Sequence, residues 1–82
     1  MRTKRRERKD IYELISFNVK KYRKEAHLTQ AQLAEKCQYS HEFIRRIEAP
    51  NVKKYFSVAT ISIIAEALEI DIRKLFDKIE DE

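Results

Sequence analysis

The chain has no glycine, where average usage of ~7% would place about six among 82 residues. Gly-rich loops that cradle phosphate are thereby excluded, and neither a metal-ligand cluster nor a nucleophile with a base partner is visible. A single cysteine, Cys37, permits no internal disulfide and lacks the companions of a zinc site. Its expected role is buried packing. No apolar run approaches the ~18 residues of a membrane span. The basic N-terminus lacks the apolar centre of an export signal. The two histidines, His27 and His41, stand 14 positions apart and belong to different turns rather than to a catalytic pair. No stretch keeps a period of two between turn residues, so no strand is expected. These absences point away from an enzyme, a cofactor, a metal, a small-molecule ligand and a membrane partner. The expectation is one small cytoplasmic domain, near the lower size limit for a self-sufficient core.

What is present is charge, unevenly spread. The net charge of +4 combines a basic head with an acidic tail. Residues 1–9 carry six basic side chains and one acid, whereas residues 66–82 carry three basic and seven acidic. The front suits a phosphate surface and the tail does not. Residues 1–9 read as a flexible basic arm, and residues 10–82 as the folded domain.

Helix starts are the clearest local signal. Four times an apolar residue, a capping residue and a second apolar residue recur at one spacing: Leu28-Thr29-Leu33, Tyr39-Ser40-Ile44, Phe56-Ser57-Ile61 and Ile70-Asp71-Leu75. This is the hydrophobic staple, in which the residue before the cap packs on the fourth helical residue and fixes the entry angle. Thr29 and Gln32 add capping-box spacing. An earlier helix is predicted from near residue 10 to residue 26, with Asp10 and Glu13 as a capping box and Ile11, Leu14, Ile15, Val19 and Tyr22 at helical spacing. The run 58–64 is β-branched, yet Ser57 before it and Ala65, Ala67 and Leu68 after it favour a buried helix. A last helix is expected over residues 72–79. The fold class is therefore all-α with five helices and short connections.

Residues 29–48, TQAQLAEKCQYSHEFIRRIE, hold two short amphipathic segments separated by a three-residue break. Leu33, Ala34, Cys37, Tyr39, Ile44 and Ile47 can share one buried angle, while His41, Glu42, Arg45 and Arg46 point away from it. This stretch resembles the helix-turn-helix of the Cro/repressor (XRE-like) family, and the similarity runs over residues 15–76. Gln30, Ala34, the apolar positions and the closing Glu48 fit the family pattern. Gln38 departs from it, standing where a turn glycine is usual. The family commonly places glycine at helix ends that here hold His27, Gln38, Pro50 and Glu69. Ala49-Pro50 replaces the frequent Arg-Gly, and the following loop is about two residues longer.

The resemblance implies a compact five-helix lambda-repressor-like domain that lays its second motif helix in the major groove of double-stranded DNA. It implies base contacts from His41, Glu42, Arg45 and Arg46, of which Arg46 best matches the O6 and N7 acceptors of guanine. Glu42 could accept from cytosine N4 and would repel DNA elsewhere. Phe43 packs on the first motif helix or touches a thymine methyl. Phosphate contacts are expected from Thr29, Gln30, Lys53 and Lys54. The basic arm could follow the backbone, enter the minor groove or act only as a solubilising end. An Arg23–Glu48 ion pair would tie the first helix to the second motif helix. The stripe Ile72, Leu75, Phe76 and Ile79 offers a homodimer interface after the core has taken its share, with Phe76 and Ile79 as the interface residues.

The functional expectation is a sequence-specific transcriptional regulator, homodimeric on a palindromic operator. Its size is similar to phage-type repressors and to controller proteins of restriction–modification systems. The alternative is a protein-interaction module, such as an antitoxin, with secondary or no specific DNA binding.

Overall fold

The computed structural model describes residues 7–50 and 54–78. Helix α1 spans Glu7–Glu25, α2 Gln30–Cys37, α3 His41–Glu48 and α4 Val58–Leu68, followed by a 3-10 segment at Ile72–Phe76. There is no strand among the described residues.

All four staple starts carry a working side-chain cap. Thr29 Oγ1 accepts from the Gln32 amide at 3.0 Å while Gln32 Oε1 accepts from the Thr29 amide at 2.8 Å. Ser40 accepts from Phe43 N at 3.0 Å, Ser57 from Thr60 N at 3.1 Å and Asp71 from Arg73 N at 2.8 Å. The residues before the caps, Leu28, Tyr39, Phe56 and Ile70, pack against the core, and Leu33, Ile44, Ile61 and Leu75 lie within it.

Three helix ends share one solution despite the missing glycines. His27, Gln38 and Glu69 adopt φ of 60°, 64° and 59°, the left-handed region. Each is followed by an amide that reaches back to close a Schellman motif. Leu28 N donates to Arg23 O at 3.1 Å, Tyr39 N to Ala34 O at 2.9 Å and Ile70 N to Ala65 O at 3.0 Å. Leu28, Tyr39 and Ile70 are also the residues before the next cap. One apolar side chain therefore closes one helix and opens the next, which leaves connections of three or four residues and no room for helices to drift. All three left-handed side chains are exposed.

Twelve side chains form the core: Ile15 and Val19 from α1, Leu33, Ala34 and Cys37 from α2, Ile44 and Ile47 from α3, Ile61, Ile64, Ala65 and Leu68 from α4, and Leu75. Cys37 is buried, and burial pushes its thiol pKa upward. Two buried polar side chains of α1 anchor the other elements. Ser16 Oγ donates to Ile47 O at 2.6 Å, and Asn18 Nδ2 donates to Leu75 O at 3.0 Å and Asp77 O at 2.8 Å.

Two boundaries differ from the sequence reading. Helix α1 starts at Glu7, so Asp10 lies inside it and not at its cap. Glu7, Arg8 and Lys9 are all good helix formers, and nothing in them stops the helix near residue 10. The final element is 3-10 and ends at Phe76, with Asp77 extended at φ −64° and ψ 142°. Asn18 explains the stop, because it takes carbonyls that a continuing α-helix would need for its own amides. Residues 1–6, most of the expected arm, lie outside the described residues.

Candidate nucleic-acid interface

Helices α2 and α3 are set against each other by their shared core residues and by a polar hub at Glu48. The Glu48 side chain is 2% exposed, and its carboxylate accepts from Arg23 Nε at 2.7 Å and from Arg23 Nη2 at 3.0 Å. Gln30 Nε2 adds a third donor at 3.0 Å. Arg23 Nη1 also donates to Leu28 O at 2.7 Å. The pair is thus bidentate, buried and tied to the start of α2 and the end of α3. The structure brings together Arg23, Gln30 and Glu48, three residues to which the family resemblance assigns two separate roles. Gln30 was expected to offer its side chain to phosphate. In the free protein its side-chain amide donates instead to Glu48.

The outward face of α3 is polar and exposed. His41, Glu42, Arg45 and Arg46 all lie on it, and Ile44 and Ile47 are buried behind it. Hydrophobic and charged positions separate cleanly because eight residues, barely more than two turns, carry both faces. Arg45 Nη2 donates to both carboxylate oxygens of Glu42, at 2.8 and 3.1 Å. Arg46 makes no ion pair among the described residues. Phe43 is half-buried, and its ring packs edge-on against Tyr39 at 4.7 Å. Packing is therefore its role in the free protein.

The loop after α3 departs from expectation. The family resemblance gives Lys54 a DNA phosphate contact, but in the free protein its side chain is buried and its ammonium donates to Ala49 O. It sits beside the C-terminal end of α3, where a cation complements the carbonyl dipoles. Lys53 lies outside the described residues. Tyr55 is exposed and packs edge-on against Tyr12 at 5.1 Å, with Phe56 on the same ring at 5.2 Å. This aromatic cluster ties the loop to α1.

The 3-10 segment divides its apolar residues as the core requires. Leu75 is buried, Ile72 packs partly on the core, and Phe76 remains 44% exposed. Ile79 lies outside the described residues. Phe17, next to Asn18 on α1, is also exposed. Among the described residues no group of three or more His, Cys, Asp or Glu is placed to hold a metal ion, and no helix is long and apolar enough to cross a membrane.

A family model described as helix-turn-helix matches residues 19–75. The fold is similar to the crystal structure of a hypothetical transcription factor, NHTF, from Neisseria, with a TM-score of 0.74 and 19% identity over 83% of this chain and 74% of that one. At that identity the likeness concerns the fold. No curated protein matches the chain.

Proposed function

The chain belongs to the Cro/repressor (XRE-like) helix-turn-helix family, and from that premise we propose that it is a sequence-specific DNA-binding transcriptional regulator. The observation that carries the reading is α3 itself. It offers four exposed hydrogen-bonding side chains, His41, Glu42, Arg45 and Arg46, on a helix braced from behind by α2 and the Arg23–Glu48 pair. A rigid helix with polar edges is what the major groove admits. Arg46, which makes no ion pair among the described residues, reads a guanine. Backbone amides at the start of α2, near Thr29 and Gln30, hold one phosphate, and Lys53 reaches another. The basic segment 1–9 adds sequence-independent attraction to the duplex.

One eight-residue helix reads few base pairs, so the protein acts as a homodimer on a palindromic operator. Exposed Phe76 supports this reading, with Ile79, three positions on in sequence, as the second interface residue. The test is selection of bound sites from a random duplex library at physiological salt. An inverted repeat, bound on the order of 10³-fold tighter than random DNA, is expected. Weak, salt-sensitive binding with no preferred sequence would refute it and favour a protein-interaction module.

A further inference from the structure

The face that α3 offers to DNA carries an ion pair. Glu42 and Arg45 are joined by two contacts from one guanidinium nitrogen, while both side chains stay more than half exposed. Neither is needed for the core. We propose that Glu42 and Arg45 act as one reading unit for a single G·C base pair, an inference that rests on α3 entering the major groove.

The geometry fits the chemistry of that pair. Arginine has five N–H donors, and both Glu42 contacts come from Nη2; one Nη2 N–H shared between the two carboxylate oxygens leaves the second Nη2 N–H and its parallel neighbour as a fork of donors. The carboxylate likewise keeps lone pairs directed away from Arg45. The joined side chains therefore present two donors beside one acceptor. In the major groove a G·C pair shows two acceptors, N7 and O6 of guanine, beside one donor, N4 of cytosine. All three groups are matched at once. An A·T pair alternates acceptor, donor and acceptor and then adds a methyl group, so the adjacent donors of Arg45 cannot both be used.

Pairing also decides how Glu42 behaves elsewhere on DNA. A lone carboxylate would be repelled by the phosphates at every site. Joined to Arg45 it is neutralised, and on random DNA it withholds a cation from the backbone. The unit then discriminates in two ways, by matching one base pair and by weakening contact with the rest.

The experiment uses the full chain and the duplex recovered by selection, with each operator position replaced in turn by the other base pairs. The wild-type protein should lose on the order of ten-fold in affinity when one symmetric G·C position is replaced. Glu42→Gln and Arg45→Ala should relax the preference at that same position. Gln at 42 should also accept A·T there, since its amide matches adenine. Glu42→Gln should further tighten binding to random duplex and steepen its salt dependence by about one phosphate contact, as Arg45 is released. Melting curves of both variants should match the wild type, since the pair is exposed. If the two variants relax different positions, or Glu42→Gln leaves the profile unchanged, the unit is refuted while DNA reading stands. Failure to recover any preferred duplex overturns the parent reading and this one with it.

Discussion

Replacing Gln38 with glycine should raise the stability of this protein. Gln38 closes α2 at φ 64° and ψ 34°, with its amide bonded to Ala34 and Glu35 carbonyls. A side chain there brings Cβ toward the following carbonyl, at a cost of roughly 1–2 kcal/mol. Glycine removes that clash but has more freedom to lose from the unfolded chain, which offsets about 0.4–1 kcal/mol. At mid-range values of both the net gain is about 0.8 kcal/mol, and in a domain of this size that raises Tm by roughly 3–6 °C. Little opposes it, because the Gln38 side chain is exposed and makes no hydrogen bond among the described residues. Glu69 has the same geometry and should gain as much. His27 should gain less, since histidine enters this region more readily than most residues. Thermal unfolding followed by far-UV circular dichroism gives the measurement. Gln38→Ala serves as the control, because it keeps the Cβ and should bring no gain. A lower Tm for Gln38→Gly than for the wild type would refute the strain and the reasoning from it.

Removing either partner of the buried Arg23–Glu48 pair should cost about 3–5 kcal/mol, because the other charge is left buried. An exposed pair would cost about 0–1 kcal/mol. A denaturant double-mutant cycle reads the coupling, best in the Gln38→Gly background, and a value near zero would refute the tie. Asp71 gives a pH prediction. The side chain of Arg73, and after it the Arg73 amide, hold its carboxyl at about 2 in the folded chain against 3.8 unperturbed. A depressed folded pKa means that its contribution is complete above about 3.8 and is lost as pH falls through about 2. An NMR titration of the Asp71 carboxyl should show a midpoint near 2, and a midpoint near 3.8 would contradict the contact.

Much of this fold is legible in the chain because capping is local. Thr29, Ser40, Ser57 and Asp71 each bond within three residues, so their spacing alone marks where the helices begin. Ile44 and Ile47 are legible for the same reason, since two turns of helix sort them to one face. Non-local bonds are what the spacing hides. Asn18 reaches carbonyls 57 and 59 positions away, and this contact ends the last element early. Gln30 meets Glu48 18 positions on, which diverts a side chain that a helix start alone would leave for an anion. Lys54 turns inward because α3 ends in unpaired carbonyls that a nearby ammonium can satisfy, and a basic loop residue carries no mark of that in its neighbours. His27, Gln38 and Glu69 fall between. Their positions are evident from the absent glycines, but their left-handed conformation comes from the Schellman bonds around them.

The most direct test that α3 reads bases is the selection profile of Arg46→Ala against that of the wild-type protein. Arg46 is exposed and makes no ion pair among the described residues, so its loss should leave the fold and Tm nearly unchanged. The variant should accept all four bases at one symmetric pair of operator positions, keep its preference elsewhere, and bind the wild-type site with about 1–3 kcal/mol less free energy. A uniform weakening across every sequence would make Arg46 a phosphate contact, and an unchanged profile would remove this face of α3 from the DNA.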